Sequence, residues 1–357
     1  MKRIVIIGAG IIGCALAHEL KTTSNEVYVL EKNPSFGQGV TSRNSGVIHS
    51  GLYYRPGSLK ATLCIEGQKR LYHWCAEKKI AHRKTGKFIL AQDDQESHLE
   101  NLYQNAISSG VLKKNLHFLS SSELKQKSSY LRASQALHVL ESGIVDPHHF
   151  CQSLYTTSLS KGCEFSFHVT VQEILKKESY EIQTLRGMME ADIVINAAGL
   201  YADEISNCAG ITKYKIYPYR GDYFNLNSPV PLPALVYPVV KKGGSGLGVH
   251  VTSDLQNNFR LGPDAERIQS KEDFQDRPEK KDVFFQAAKK MLPWIKPDMI
   301  SYDSCGIRPK LKGPDDTEEK DFVISEDSPG FVNLIGIESP GLTSALAISK
   351  YVFDLLK

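Results

Sequence analysis

The chain opens on a short β-branched run, Ile4 to Ile7, that breaks at Gly8-Ala9-Gly10-Ile11-Ile12-Gly13. It resumes in a second apolar run, Val27-Tyr28-Val29-Leu30, closed by Glu31. Short apolar runs bounded by glycine or a charge read as buried strands, so residues 4–31 predict a strand, a glycine turn, a helix and a second strand. After a Gly/Ser/Thr-rich turn from Phe36 to Gly51, the pattern predicts a helix from about Ser58 to Lys78 and a strand over Phe88 to Ala91. An amphipathic helix follows from Glu96 to Ser109, with Leu99, Leu102, Tyr103 and Ala106 on one side. Val111 to Gln135 is polar, without a clear motif. Asp146-Pro147 reads as an N-cap and a first-turn proline for a helix reaching about Leu159. Alternating strands over Phe165 to Ile174 and Tyr180 to Leu185 lead into Ile193-Val194-Ile195-Asn196, a buried-type strand that delivers into Ala197-Ala198-Gly199. From Lys213 to Leu261 the pattern is mostly β: Tyr217 to Leu226, Ala234 to Val240, a turn at Lys241-Lys242-Gly243-Gly244, Leu247 to Thr252, and Phe259 to Leu261. One helix, about Lys280 to Ile295, precedes Gly336-Ile337-Glu338-Ser339-Pro340-Gly341-Leu342-Thr343-Ser344, which opens a final apolar helix. No repeat or long linker separates these blocks, so two domains are expected to interleave.

The glycines carry the first chemical signal. Gly8 suits a tight turn, Gly10 lets the backbone approach a pyrophosphate, and Gly13 lets the helix lie close on the sheet. Glu31, 18 residues after Gly13, is placed to accept from a ribose hydroxyl. The segment at 336–344 adds a second set of helix N-terminal N–H groups for an anion or an electron-rich ring. A ligand held from both ends of a chain is a large one.

Composition narrows the class. A chain of 357 residues can bury a sizeable core, and a net charge of +3 is too mild for a nucleic-acid binder of this size. Seven cysteines, an odd number with no C-x-x-C pair, suit a reducing compartment and no metal centre. Lys2-Arg3, an apolar run and Cys14 imitate a secretory signal, but the glycine spacing, His18, Glu19 and Glu31 favour the nucleotide reading. The run from Ile4 to Ala17, 14 residues, is too short to span a bilayer. A cytoplasmic protein is expected. The helix from Lys280 carries more apolar bulk (Val283, Phe284, Phe285, Met291, Leu292, Trp294) than one packed face needs, which leaves room for peripheral contact with the inner face of a membrane.

Several blocks carry a family resemblance. They are the glycine turn; Ser42-Arg43-Asn44-Ser45-Gly46-Val47-Ile48-His49-Ser50-Gly51-Leu52-Tyr53-Tyr54; Pro56-Gly57-Ser58-Leu59-Lys60-Ala61; Asn196 to Ala202; Arg220-Gly221-Asp222-Tyr223; Tyr237-Pro238; Gly248-Val249-His250; and the C-terminal Gly-Ile-Arg and Ser-Pro-Gly segments. The chain resembles the FAD-dependent oxidoreductases of the D-amino-acid-oxidase superfamily, most closely their L-2-hydroxyglutarate dehydrogenase/oxidase branch. The resemblance implies an α/β fold, with a Rossmann-type FAD-binding domain (1–81, 144–211, 302–357) interleaved with an α+β substrate domain built on a mainly antiparallel sheet (82–143, 212–301). It implies non-covalent FAD held by Gly8, Gly10, Ile11, Ile12, Gly13, Glu31, Lys32, Thr41, Ser42, Asn44, Ser45, Gly46, Val47, Ala197, Ala198, Gly199, Arg308, Ser339, Gly341, Leu342 and Thr343. The electron acceptor would be oxygen or a quinone.

Oxidising a 2-hydroxy acid on a flavin requires a cation for the substrate carboxylate, a base for the hydroxyl proton and a dry face for hydride transfer. Arg308 is the preferred clamp, since its planar fork matches a carboxylate and stays charged at any working pH; flanking Gly306 and Pro309 suggest a constrained turn. His49 is the first choice for the base because imidazole titrates nearest neutrality, and His250 competes with it. Tyr53, Tyr54, Lys60, Arg220 and Tyr237 form a second tier, in which Lys60 or Arg220 could meet a second substrate carboxylate. The rival readings are an amine or amino-acid oxidase of the same superfamily and a non-catalytic flavin- or NAD-binding protein.

Overall fold

The computed structural model describes residues 1–233, 235–239 and 248–357. Its first unit is strand Lys2–Ile7, helix Ile11–Leu20 and strand Asn25–Leu30, the two strands parallel with Ile4 opposite Val27 and Ile7 opposite Leu30. They sit inside a six-stranded sheet in the order Val323–Ser328, Phe331–Ile335, Ile193–Asn196, Lys2–Ile7, Asn25–Leu30, Glu164–Ser166, parallel except at the Val323–Ser328 edge. Alternation along the first strand divides two cores. Ile4 and Ile6 pack with the helices Ile11–Leu20, Pro147–Ser160 and Gly341–Leu355, while Val5 and Ile7 pack with the meander Val171–Lys176, Tyr180–Thr184 and Gly187–Ala191. A sheet covered on both faces explains why its strands read as continuous apolar runs.

The second sheet has nine strands and is antiparallel except where Leu235–Pro238 meets Lys87–Ala91. Helix Lys281–Lys289 seals one face through Phe284 and Phe285, against Phe224 and Val236. Helix Glu96–Ser108 covers the other through Leu99 and Ala106, against Ile89 and Leu137. The chain passes between the two sheets repeatedly, as the pattern of runs suggested.

The structure departs from the sequence reading at several points. Residues 165–174 are two strands, not one: His168 at φ +56° breaks the run, and the halves join different sheets. The region 111–135 holds strand Leu116–Ser120 and helix Ser121–Lys127, opened by a capping box in which Ser120 and Glu123 bond each other's backbone. Strand Ile300–Lys310 pairs along its length with Tyr217–Leu226, so residues 302–310 extend the large sheet rather than the dinucleotide one. The helix expected over 280–295 ends at Lys289. Its neighbours Met291 and Leu292 are buried with Phe284 and Phe285, and of the helix's apolar residues only Val283 stands exposed, so most of the apolar excess that suggested a membrane face is core. Among the described residues no helix is long and apolar enough to cross a membrane. The turn at Lys241–Gly244 and Leu247 lie outside the described residues, and the strand there is Val251–Ser253.

Candidate active site

A connected cavity of about 2390 Å³ runs between the sheets, well above the roughly 300–1,000 Å³ of ordinary small-molecule pockets. The first helix starts on it at Gly10-Ile11-Ile12, and the last helix starts on it at Gly341-Leu342, so the two helix N-termini open on one space. Gly8 takes φ +109°, and a Cβ there would lie 2.6 Å from the Ala197 carbonyl oxygen; one on Gly10 would lie 3.2 Å from Thr41 Oγ1. Gly13 does not line the cavity: its Cα packs against the Gly8 carbonyl, the close helix–sheet contact its place implies.

Beyond this turn the wall is built by short side chains bonding to backbone. Glu31 is buried and accepts from the Ala9 amide at 2.8 Å and from the Asn33 amide and side chain at 2.8 and 2.7 Å, so it braces the glycine turn as well as facing the cavity. Thr41 Oγ1 accepts from Ile11 N at 3.0 Å, and Asn44 ties Thr41 to Gly46. Ser45, Val47, Ala197, Ala198 and Gly199 also line the cavity. Ser42 instead faces away, its hydroxyl donating to Gln38 and Gly39 carbonyls. At the far end Lys32 Nζ sits 3.1 Å over the Tyr201 ring. Thr343 lies behind the wall, where it accepts from His49 N at 3.0 Å and donates to the Val47 carbonyl at 3.3 Å.

His49, His250, Tyr53, Tyr54, Tyr237 and Arg308 are brought together on the opposite end of the same cavity. Arg308 belongs to the strand Ile300–Lys310, not to a turn, and lies opposite Tyr219. It donates from Nη1 to the Asp264 carbonyl at 3.0 Å, and no carboxylate among the described residues pairs with it. His49 Nε2 is 3.2 Å from Ser339 Oγ, and Gln68 holds its carbonyl. Burial, then the Lys87 and His250 charges, push the His49 pKa well below the usual histidine value. His250 precedes the strand Val251–Ser253. Its Nδ1 is 2.7 Å from the Gly248 carbonyl, which can only accept, so Nδ1 carries the proton and Nε2 the free lone pair. Burial brings its pKa down to about 3. Its ring stacks on Tyr237 at 3.9 Å.

Two second-tier cations are otherwise engaged. Lys60 is buried and bonded to Glu338 at 2.9 Å on the cavity wall. Arg220 is fully buried away from the cavity, with its guanidinium held by Asp222, Asp273, the Gln275 carbonyl and Tyr302, so it is a structural ion and not a substrate ligand. The Tyr53 hydroxyl is buried with no partner among the described residues, and Tyr54 lines the cavity beside it. Sequence reasoning missed Lys87, which is 1% exposed behind Tyr237; the available signal was a lone lysine heading the apolar run Phe88–Ala91.

The cavity's length, its two helix N-termini and the glycine turn that any Cβ would obstruct fit a dinucleotide whose aromatic ring reaches the histidines. Known proteins agree. The sequence matches the DAO family, described as FAD dependent oxidoreductase, over residues 3–355. It is 35% identical to the mitochondrial L-2-hydroxyglutarate dehydrogenase of Arabidopsis thaliana, over 98% of this chain and 82% of that one. It is 34% identical to a glycerol 3-phosphate dehydrogenase of Caloramator mitchellensis, over 100% and 74%. Among solved structures it resembles the FAD-bound L-alpha-glycerophosphate oxidase of Mycoplasma pneumoniae, with a TM-score of 0.90 and 27% identity over 100% of this chain and 95% of that one. The chain therefore belongs to the DAO family of FAD dependent oxidoreductases.

Proposed function

We propose that this enzyme oxidises L-2-hydroxyglutarate to the 2-oxo acid. Arg308 would clamp the C1 carboxylate and His49 would take the hydroxyl proton, leaving the Cα hydrogen to be removed as hydride. The observation that carries the reading is an arginine fork without a carboxylate partner among the described residues, on the same cavity wall as His49 and His250. FAD, bound non-covalently along the glycine turn, supplies the two-electron acceptor. Every other requirement falls to the chain. Gln68, Thr343 and Ser339 fix the His49 backbone and ring, and the aromatic wall of Tyr53, Tyr54 and Tyr237 keeps the reacting carbon from water. Oxygen or a quinone would be the final electron acceptor.

The pH dependence follows in sign. A general base must be neutral, and a depressed histidine pKa leaves it so throughout the neutral range. Activity (kcat/KM) is expected to stay flat near pH 7 and to fall only below the ordinary histidine range. A bound substrate anion stabilises imidazolium, so the limb in kcat lies at higher pH than that in kcat/KM. His49→Gln should slow flavin reduction by about a hundred-fold with FAD retained. Loss of the limb in His250→Gln alone would move the base to His250.

Glycerol 3-phosphate is the second reading. It too is an anionic secondary alcohol, and the engagement of Lys60 and Arg220 elsewhere favours a substrate with one strongly anionic end. Anaerobic bleaching of the bound flavin separates the two. L-2-hydroxyglutarate is expected to bleach it and the D-enantiomer to leave it yellow. Bleaching by glycerol 3-phosphate alone selects the second reading, and bleaching by amino acids alone overturns both.

A further inference from the structure

We propose that Lys87 is a positioning residue of this site, an ammonium sealed behind Tyr237 whose charge adds to burial in disfavouring protonation of the histidine pair. The proposal rests on the reading that one of these histidines accepts the substrate proton. Lys87 heads the strand Lys87–Ala91 and is 1% exposed. Among the described residues no carboxylate pairs with it. Its Nζ instead lies 4.0 Å from the Tyr237 ring centre and 5.5 Å from that of Tyr53.

The His250 ring is stacked 3.9 Å from Tyr237 at 16°. Both groups lie about 4 Å from the centre of the Tyr237 ring, so the charge is at most about 8 Å from the His250 ring, within range to act across a low-dielectric wall.

Nothing in the packing asks for a charge here. Ile89 and Ala91, on the same face of the strand, are apolar core, and helix Glu96–Ser108 presents Leu99 and Ala106 to that core. Leaving an ammonium unpaired in such a place is costly, and two ring faces offset only part of the cost. The titratable groups around it are Tyr53 and Tyr237, whose rings it faces, the Cys64 thiol from helix Leu59–Glu77, and the two histidines. Tyr223 and Arg308 line the same cavity as Tyr237 and His250, while His138 on the next strand stacks on Phe88. None of these is an anion. The charge therefore acts on the histidines without being cancelled, and it lowers the proton affinity of both. Burial brings the lysine's own pKa to about 7, so the ammonium is present through the acid range in which the histidines titrate.

The test uses the FAD-loaded enzyme and its Lys87→Met variant, followed by NMR titration of the histidine ring signals and by the pH profile of kcat/KM. Removing a positive neighbour makes imidazolium easier to form. The histidine midpoints and the acid limb should move up by about one pH unit, with KM at neutral pH little changed. Lys87→Arg, which keeps the charge, should retain the wild-type midpoints. Unmoved midpoints in a flavin-retaining Lys87→Met enzyme overturn the proposal, and Lys87→Gln repeats the measurement if the methionine variant does not hold flavin. Shifted midpoints in an enzyme that no hydroxy acid bleaches would leave the lysine's role standing and remove the catalytic reading. Unmoved midpoints with normal bleaching would do the reverse.

Discussion

Arg308→Ala is the sharpest perturbation of the proposed chemistry, because the structure fixes what the residue has free. A guanidinium carries five N–H donors; one bond, to the Asp264 carbonyl, is formed here, and no carboxylate is paired with it among the described residues. A carboxylate docked on the remaining fork would gain two charge-assisted hydrogen bonds at about 1.5–3 kcal/mol each. Truncation should therefore cost roughly 3–5 kcal/mol, a fall of about 10²–10³-fold or more in kcat/KM. Arg308→Lys keeps the charge and loses the fork, so about ten-fold is expected. A third variant displaces the group without removing it. A Cβ at Gly221 would lie 3.0 Å from Arg308 Nη2 and 2.8 Å from the Asp264 carbonyl oxygen, so Gly221→Ala should raise KM with the arginine still present. Steady-state kinetics with the flavin absorbance ratio as the control for loading make the assay. Wild-type KM and kcat in Arg308→Ala and Arg308→Lys, with FAD bound, would refute the clamp.

Gly10→Val places a branched side chain where even a Cβ is 3.2 Å from Thr41 Oγ1, and the folded protein is expected to purify colourless; full flavin occupancy would remove the turn from the cofactor site. Glu31→Ala frees the Ala9 amide and the Asn33 loop together, so FAD binding should weaken by about 1–3 kcal/mol, read by flavin fluorescence titration. Arg220→Met leaves Asp222 buried with Lys280 as its remaining cation; unfolding stability should drop by about 3–5 kcal/mol while the folded fraction keeps its KM, and a large KM change would return Arg220 to the substrate.

The parts of the site written in contiguous residues were legible. The glycine turn, Glu31, the hydroxyl-rich loop and the C-terminal helix start all lie on one cavity, because each is a local backbone signal with a local cause. What escaped depends on who faces whom. Arg220 looked like a free cation, although Asp222, two residues on, shares its face of the strand and claims it. Lys60 is met by Glu338, a partner 278 residues away that no window could reveal. Lys87 stood as one charge before an apolar run, and only the packing of Tyr237 gave it an address. The strand Gly187–Ala191 was missed because, exposed along most of its length, it carries no apolar alternation.

The hydrogen bonds that run from Thr343 to Val47 and His49 have a bearing on how the protein comes into being. Synthesis proceeds from the N-terminus, and the glycine turn emerges long before the residues that complete its cavity. Strand Phe331–Ile335 must also arrive to flank Ile193–Asn196 before the first sheet is whole. A nascent chain therefore carries half a nucleotide site for most of its elongation, exposed and unable to retain a ligand. Cofactor capture waits for the helix Gly341–Leu355, so a ribosome-bound chain stalled before that helix should show no flavin.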